Sequence, residues 1–309
     1  MLERKKILKI KEIFNYSMSR IVGFERGHFL KKVFVPRLAI ITFMLLIGLT
    51  NNALAEEYKE IEIRDGGSIS GKVYLKGEVP APRVFHLVLY PFEYFCKKVS
   101  DGNDNRLLSE FNVNSENALQ DVVIAVQKVK AGKVFPTPEG VIHATDCVFN
   151  PFVSVVKNHQ TIKVVNDDPV VHNIQVYQSE RGKIIFNSPL PIKSEESGKL
   201  NFEPNMHISQ WICGMHEYMQ NWAFVVENPY YAISKSDGSF QIDQIPPGSY
   251  TVTAWHAHMK IAEKKILIAS GKDSPVNFEF KSEEVIYPEY EQQQKGRIQH
   301  RGKAENYSP

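Results

Sequence analysis

Short runs of alternating apolar and polar residues, separated by turn-forming residues, fill most of this 309-residue chain. In the run Gly67–Leu75, for example, every second side chain is apolar in its central part, and Gly66 and Pro80 lie on either side. A spacing of two places those side chains on one face of a strand, whereas a helix needs a spacing of three or four. No long stretch between residues 61 and 281 keeps the helical spacing. The sequence therefore predicts an all-β protein.

The first 55 residues have the features of an export signal. A basic segment at residues 31–37 precedes an apolar run at residues 38–49, and Ala53-Leu54-Ala55 is a small-x-small cleavage site. The apolar run is shorter than the roughly 20 residues of a membrane-spanning helix. We therefore expect a signal peptide over residues 1–55 and no stable membrane span after its cleavage, with an uncleaved anchor as the alternative. In either case the rest of the chain lies outside the cytoplasm, in the periplasm or secreted.

The charge balance argues against nucleic acid as a partner. Residues 1–55 hold 10 of the 37 basic residues and 3 of the 35 acidic ones, so the formal charge of +2 becomes about −5 for the remainder. That remainder has no basic stripe of the kind that binds phosphates. Mild net acidity instead suits a basic protein partner.

The remaining 250 or so residues are enough for two domains. Asn228-Pro229 marks the expected boundary, which gives a first domain over residues 56–228 and a second over residues 229–281. The tail at residues 282–309 is polar, with too little apolar content for a core, so we expect it to be disordered.

A seven-residue stretch from Cys213 to Met219 carries the clearest chemistry. Cys213, His216 and Met219 follow each other at C-x2-H-x2-M spacing, which brings a thiolate, an imidazole and a thioether into one loop. Soft ligands of this kind select copper, and two imidazoles, one thiolate and a long axial Met bond make up a blue-copper electron-transfer centre. Each of the three residues taken alone has an ordinary structural explanation, in a disulfide, a loop or a core.

The second imidazole of such a site is expected from His172. His172, Ile174 and Val176 alternate onto one face of a strand, with His172 at its entry end. The preceding run Thr161–Val165 is separated from this strand by the turn-forming residues 166–169, so we expect the two strands to form a hairpin.

The stretch Ile212–Met219 resembles the copper loop of the cupredoxins, with the short spacing of amicyanin-like members. The segment Thr161–Val176 resembles the strand that carries their first His ligand, and residues 61–280 are similar to bacterial secreted proteins that join a plastocyanin-like domain to a carboxypeptidase regulatory-like domain. Some of these are labelled methylamine-utilisation proteins. The resemblance implies a cupredoxin-like Greek-key β-sandwich or barrel with one type 1 copper. The ligands that it implies are His172, Cys213, His216 and Met219, with a hydrogen bond from Asn173 across to the Cys loop.

The second domain has two turn signatures, Asp237-Gly238 and Pro246-Pro247-Gly248. It resembles the carboxypeptidase regulatory-like, transthyretin-like β-sandwich, a module without catalytic activity. Gly67–Leu75 resembles the first strand of that family, so the two domains could share a sheet or an interface. Strand alternation would place His256 and His258 on one face, but no third metal ligand is evident, and we expect Trp255 and His256 to pack at the contact between domains.

The chain has three cysteines, so one disulfide would leave one cysteine free to bind a metal. If Cys213 binds a metal, Cys96 and Cys147 are left to form a disulfide, which an oxidising compartment would preserve. The alternative is that one of them belongs to a second ligand set. A dinuclear purple-copper centre is excluded, because it needs two thiolates in one loop.

These observations favour a secreted or periplasmic electron carrier that cycles between Cu(II) and Cu(I) and is not an enzyme. His216 lies in the loop, so we expect it to be the more exposed ligand and the exit for an electron to a redox partner such as a c-type cytochrome. The alternatives are an adhesive or envelope-structural protein with a vestigial copper loop, and a protein that stores or delivers copper.

Overall fold

The computed structural model describes residues 58–286, and β-strands dominate this range, which confirms the predicted all-β class. Its helical segments are a one-turn helix, α1 (Glu93–Cys96), and 3-10 turns at Leu87–Leu89, Lys97–Val99 and Ser282–Glu284. The strands are β1 (Lys59–Glu60), β2 (Gly67–Lys76), β3 (Arg83–His86), β4 (Asn105–Leu108), β5 (Val123–Val126), β6 (Ala131–Gly132), β7 (Val141–Thr145), β8 (Val148–Asn150), β9 (Val153–Lys157), β10 (Thr161–Asn166), β11 (His172–Gln178), β12 (Lys183–Leu190), β13 (Glu195–Lys199), β14 (Ile208–Cys213), β15 (Gln220–Val226), β16 (Tyr231–Ile233), β17 (Ser239–Ile245), β18 (Gly248–Trp255), β19 (Ala262–Ile268), β20 (Asp273–Pro275) and β21 (Phe278–Lys281).

Two of the sheets form what we call the first sandwich. A five-stranded sheet in the order β12-β11-β14-β15-β9 packs against a four-stranded sheet in the order β13-β10-β7-β8. The alternating pattern of β11 explains the contact, because Ile174 and Val176 point into the shared core while the residues between them are partly exposed. Ile162 and Val164 of β10 enter the same core from the other sheet.

Two further sheets form the second sandwich. One has the order β16-β5-β18-β19, and the other has the order β17-β2-β20, with β21 also paired to β2. Both contribute to a separate apolar core. Strands β2 and β5 therefore share sheets with strands that lie beyond residue 229, so the strand pairing crosses the expected boundary at Asn228-Pro229.

Strand β5 is apolar along its whole length and β15 is apolar after its first two residues, and both strands are buried on both faces. On β15, Ala223 and Val225 point into the first core, whereas Trp222 and Phe224 face a third cluster together with Trp255 of β18. This third cluster joins the two sandwiches, and it is built from the outward faces of strands that belong to them.

The expected hairpin between Thr161–Val165 and Val170–Tyr177 is wrong. Strand β10 pairs with β7 and β13 in the four-stranded sheet, and β11 pairs with β12 and β14 in the five-stranded sheet. The connecting turn crosses from one sheet to the other because Asn166 is buried at the corner. Its amide donates to the carbonyls of Val170, Leu190 and Pro191, which fixes the crossing.

A short helical segment closes one end of the first sandwich. This lid, residues 87–99, consists of α1 and the two 3-10 turns that flank it. A disulfide between Cys96 and Cys147 and a surface ion pair between Lys98 and Asp146 attach it to the end of the four-stranded sheet.

The expected signal peptide over residues 1–55 and most of the expected disordered tail at residues 282–309 lie outside the described residues. Within residues 58–286, we find no helix with the length and apolar character needed to cross a membrane.

Candidate metal centre

The loop between β14 and β15 is closed by its own backbone. The amide of Cys213 donates to the carbonyl of Met219, that of His216 to Cys213, and that of Met219 to His216, over 2.8–3.1 Å. Gly214 allows the close approach of β11, since a Cβ at this position would collide with the side chains of Asn173 and Gln175. The sequence spacing thus places the thiol and the imidazole on one side of a tight turn.

Three donor atoms converge at this turn. The Nδ1 atoms of His172 and His216 are 3.2 Å apart, and Cys213 Sγ lies 3.9 Å from the first and 3.5 Å from the second. A point in the plane of these three atoms is about 2.1 Å from each of them, which matches ordinary metal–nitrogen and metal–sulfur bond lengths of about 2.0–2.3 Å. The donor set therefore fits a trigonal metal ion, and all three residues are fully buried.

The outer nitrogen of His172 is held by a carboxylate. Its Nε2 donates to Oδ2 of Asp168 over 2.9 Å, and Asp168 also accepts the backbone amides of Asp146 and Cys147. Once Nδ1 has lost its proton, its lone pair is free to bind a metal beside Cys213, because the remaining proton is kept on Nε2. This is the carboxylate–histidine arrangement that fixes the tautomer and orientation of metal-binding imidazoles.

The outer nitrogen of His216 is held by the lid. Its Nε2 donates to the carbonyl of Pro91 over 2.8 Å, and the rings of Tyr90 and Phe92 lie 6.5 and 6.3 Å from the imidazole. The exposed fraction of His216 is 0%. The expectation that His216 would be the more exposed ligand is therefore wrong, because the lid covers the ring edge that the loop alone would have left open.

The predicted disulfide between Cys96 and Cys147 is confirmed, and Cys213 is the free cysteine of the described chain. The disulfide lies next to both imidazoles. Cys96 Sγ is 3.9 Å from Nε2 of His216, and the amide of Cys147 donates to the carboxylate that holds His172. It therefore fastens the lid at the outer edges of the two candidate ligands.

Asn173 contacts the Cys loop through its backbone. Its amide donates to Cys213 Sγ over 3.4 Å, and its carbonyl accepts the amide of Gly214. The side-chain amide instead donates to Asn187 and Ser188. The hydrogen bond across to the loop that the resemblance implies is thus present, but it does not depend on the asparagine side chain.

Met219 is fully buried at the end of the loop, and its backbone bonds to both Cys213 and His216. Its role as a weak axial ligand stays a prediction. A second methionine, Met215, lies in the same loop and is partly buried, so it provides a natural comparison for that role.

The candidate ligands form a charged pair without a metal. Burial favours the neutral forms of both, but their hydrogen bonds outweigh it. Contacts with Asp168 and Cys213 raise the pKa of His172 to about 9, and contacts with the two histidines lower the pKa of the Cys213 thiol to about 6. The sulfur is therefore a thiolate at neutral pH, which is the form that binds metals.

Sequence reasoning did not identify Asp168, Pro91 or the lid as parts of the site. Asp168 stands four residues before His172 in a stretch that reads only as a turn, although a carboxylate so near a candidate ligand is a usable signal. Pro91 carries no such signal, because it contributes a backbone carbonyl from a distant segment.

Comparison with known proteins gives partial matches. Residues 214–276 match the family described as polysaccharide lyase family 4, domain II. No curated protein matches the chain. The predicted carboxypeptidase regulatory-like identity of the second domain stays a prediction.

Among solved structures, the chain is similar over part of its length to several cupredoxins. A purple cupredoxin from Nitrosopumilus maritimus is 23% identical over 28% of this chain and 100% of its own, with a TM-score of 0.24. The reduced state of an amicyanin mutant is 16% identical over 28% of this chain and 82% of its own, with a TM-score of 0.25. Reduced auracyanin from Roseiflexus castenholzii is 16% identical over 28% and 94%, with a TM-score of 0.23.

Proposed function

We propose that this protein is a non-enzymatic electron carrier that holds one type 1 copper ion. His172 and His216 would bind it through Nδ1, Cys213 through its thiolate, and Met219 through a weak axial bond. A copper ion in such a set supplies one-electron exchange between Cu(II) and Cu(I). The observation that carries the proposal is the convergence of three buried donors at bonding distance from one point, with both outer nitrogens already engaged.

The surroundings of the site support a carrier rather than an enzyme. The candidate ligands are fully buried, and Tyr90, Phe92 and the disulfide lie against the outer edge of His216. Such packing keeps water and substrates away from the donors and holds the imidazoles in place during electron exchange. Asp168 and the Pro91 carbonyl serve the same purpose, because each fixes one ring by accepting a hydrogen bond from its outer N–H.

We propose a redox protein such as a c-type cytochrome as the partner, in the periplasm or outside the cell. The disulfide is consistent with an oxidising compartment. Because the lid covers His216, the partner would contact the lid, whose outer surface exposes Val88, Leu89 and Tyr94.

The test is a visible spectrum after addition of Cu(II) to the metal-free protein. An intense blue band is expected in the wild type, and Cys213→Ser should abolish the band without unfolding the chain. A band that survives this substitution would refute the ligand assignment. A folded wild-type protein without any such band would favour the vestigial copper loop, and a band that no redox partner can reversibly bleach would favour copper storage or delivery.

The axial position has a matched test in the same loop. Met219→Leu should change the ratio of the visible bands and raise the reduction potential, because the weak sulfur bond that stabilises Cu(II) is lost. Met215→Leu removes the neighbouring thioether and should leave both properties unchanged. If the Met215 variant changed them and the Met219 variant did not, the axial assignment would pass to Met215.

A further inference from the structure

A series of buried polar side chains connects the candidate copper loop to the second sandwich. It begins at the backbone carbonyl of Glu217, inside the loop, and continues through Gln220, Arg83 and Glu110 to His258. Each of these four side chains belongs to a residue that is at most 8% exposed. Arg83 lies on β3, Glu110 follows β4, Gln220 begins β15, and His258 follows β18.

Every step in the series is a hydrogen bond. Gln220 Nε2 donates to the carbonyl of Glu217 over 2.8 Å, and its Oε1 accepts from Arg83 over 3.0 Å. Arg83 binds Glu110 with two hydrogen bonds, one of 2.7 Å from Nε and a second from its terminal nitrogen. His258 Nε2 donates to the Glu110 carboxylate over 2.7 Å. We call these four side chains the buried relay.

Burying the charged groups of the buried relay costs free energy, so their relative positions are strongly constrained. An isolated buried charge is costly, and only close pairing with well-formed hydrogen bonds offsets that cost. Burial disfavours the carboxylate of Glu110, but the contacts with His258 and Arg83 outweigh it and hold the pKa of Glu110 below its ordinary value. The backbone of Glu110 is also held in place, because its carbonyl lies 3.1 Å from His256 Nε2.

Gln220 is the residue through which the buried relay reaches the loop at residues 213–219. Gln220 directly follows Met219, and the carbonyl that it holds belongs to Glu217, between His216 and Met219. The loop is also held by hydrogen bonds among Cys213, His216 and Met219, by the Gly214 amide on the Asn173 carbonyl and by the ion pair of Arg181 with Glu217. A displacement of Gln220 would therefore reach the residues that carry the candidate donor atoms.

We propose that the buried relay positions the copper loop, so that the second sandwich serves as a rigid support for the metal centre. This inference rests on the proposed function for the identity of the metal. The mechanical part does not, because it concerns how firmly residues 213–219 are held with or without metal. His258, at the far end, is then a positioning residue for ligands that it does not touch.

The experiment compares removal of either end of the relay with removal of an unrelated buried hydrogen bond. His258→Leu and Gln220→Leu break the relay at its two ends. Ser234→Ala is the matched control, because the Ser234 hydroxyl is equally buried in the second sandwich and bonds only to the backbone of Leu119 and Val122 in the contacts observed. His258→Gln keeps an amide donor for Glu110 and tests rescue.

Two quantities are measured on the full chain. The first is amide hydrogen exchange of residues 213–219 in the metal-free protein, and the second is Cu(II) affinity by competition with a chelator, together with the visible spectrum. His258→Leu and Gln220→Leu should each speed amide exchange in the loop roughly tenfold. Each should also weaken Cu(II) binding roughly tenfold, which is the low end of the loss in metal affinity when contacts that support the ligands are removed. His258→Gln should stay near the wild type, and Ser234→Ala should leave the loop amides unchanged.

The inference is overturned if His258→Leu folds and its loop exchange and Cu(II) affinity match those of Ser234→Ala. If His258→Leu does not fold, Gln220→Leu decides the question by the same comparison. A wild-type protein that lacks the blue band would refute the proposed copper function, while the exchange comparison in metal-free protein would still confirm or overturn the relay.

Discussion

Replacement of Asp168 by asparagine is the most direct test of how the site is held. Asp168 is 2% exposed and accepts three hydrogen bonds, from the amides of Asp146 and Cys147 and from His172 Nε2. An asparagine in the same place has one acceptor oxygen and one NH2 group that can only donate. Whichever way it turns, the NH2 group faces a donor.

Both orientations weaken the site, one by lowering the folding stability and the other by changing the tautomer of His172. If the NH2 group faces the Asp146 amide, a buried donor pair is created, and loss of a charged acceptor of this kind costs about 1.5–3 kcal/mol of folding stability. If it takes the place of Oδ2, it faces both the Cys147 amide and His172 Nε2, so Nε2 must become an acceptor and the proton moves to Nδ1, where it blocks metal binding. Metal affinity should fall roughly 10- to 100-fold, equivalent to about 1.4–2.8 kcal/mol.

The assay is Cu(II) affinity by chelator competition, with thermal unfolding of the metal-free protein measured alongside. Asp167→Asn is the matched control. Asp167 is the adjacent residue and also contacts a histidine, His143, over 2.8 Å, but both side chains are about half exposed to solvent. It should change affinity less than twofold. Equal Cu(II) affinities together with equal unfolding temperatures for the Asp168 and Asp167 variants would refute the argument that the buried carboxylate holds His172.

Two further predictions concern protons and the lid. The pKa of His172 is raised to about 9 and that of Cys213 is lowered to about 6, so between pH 6 and 9 a metal must displace one proton, from His172. The apparent Cu(II) affinity should therefore rise about tenfold per pH unit in this range and level off above pH 9. A titration with no slope between pH 7 and 8 would contradict the charged pair. Joint replacement of Cys96 and Cys147 by serine opens a 51-residue separation and should cost about 4 kcal/mol of unfolding free energy in the chain-entropy model. It should also make the His216 ring accessible to solvent quenchers or exchange, whereas Cys213→Ser, which leaves the lid attached, should do neither.

The sequence by itself determined the features that depend on neighbours along the chain. Period-two patterns are local, so the all-β class and the inward face of His172, Ile174 and Val176 could be read directly. The C-x2-H-x2-M spacing is equally local, and a tight loop does bring Cys213 and His216 to the same side. The pairing of Cys96 with Cys147 followed once Cys213 was set aside as a ligand.

The tertiary structure decided which strands meet and what covers the site. Alternation shows which face of a strand is buried but not which strand pairs with it. The sequence therefore predicts one hairpin for two strands, Thr161–Asn166 and His172–Gln178, that lie in different sheets. The burial of His216 depends on Pro91, 125 residues away in the chain, and on a backbone carbonyl that any residue could supply. The buried relay likewise joins Arg83 to His258 through contacts of long sequence separation, and such pairings leave no local pattern because their energy comes only from burial in the folded chain.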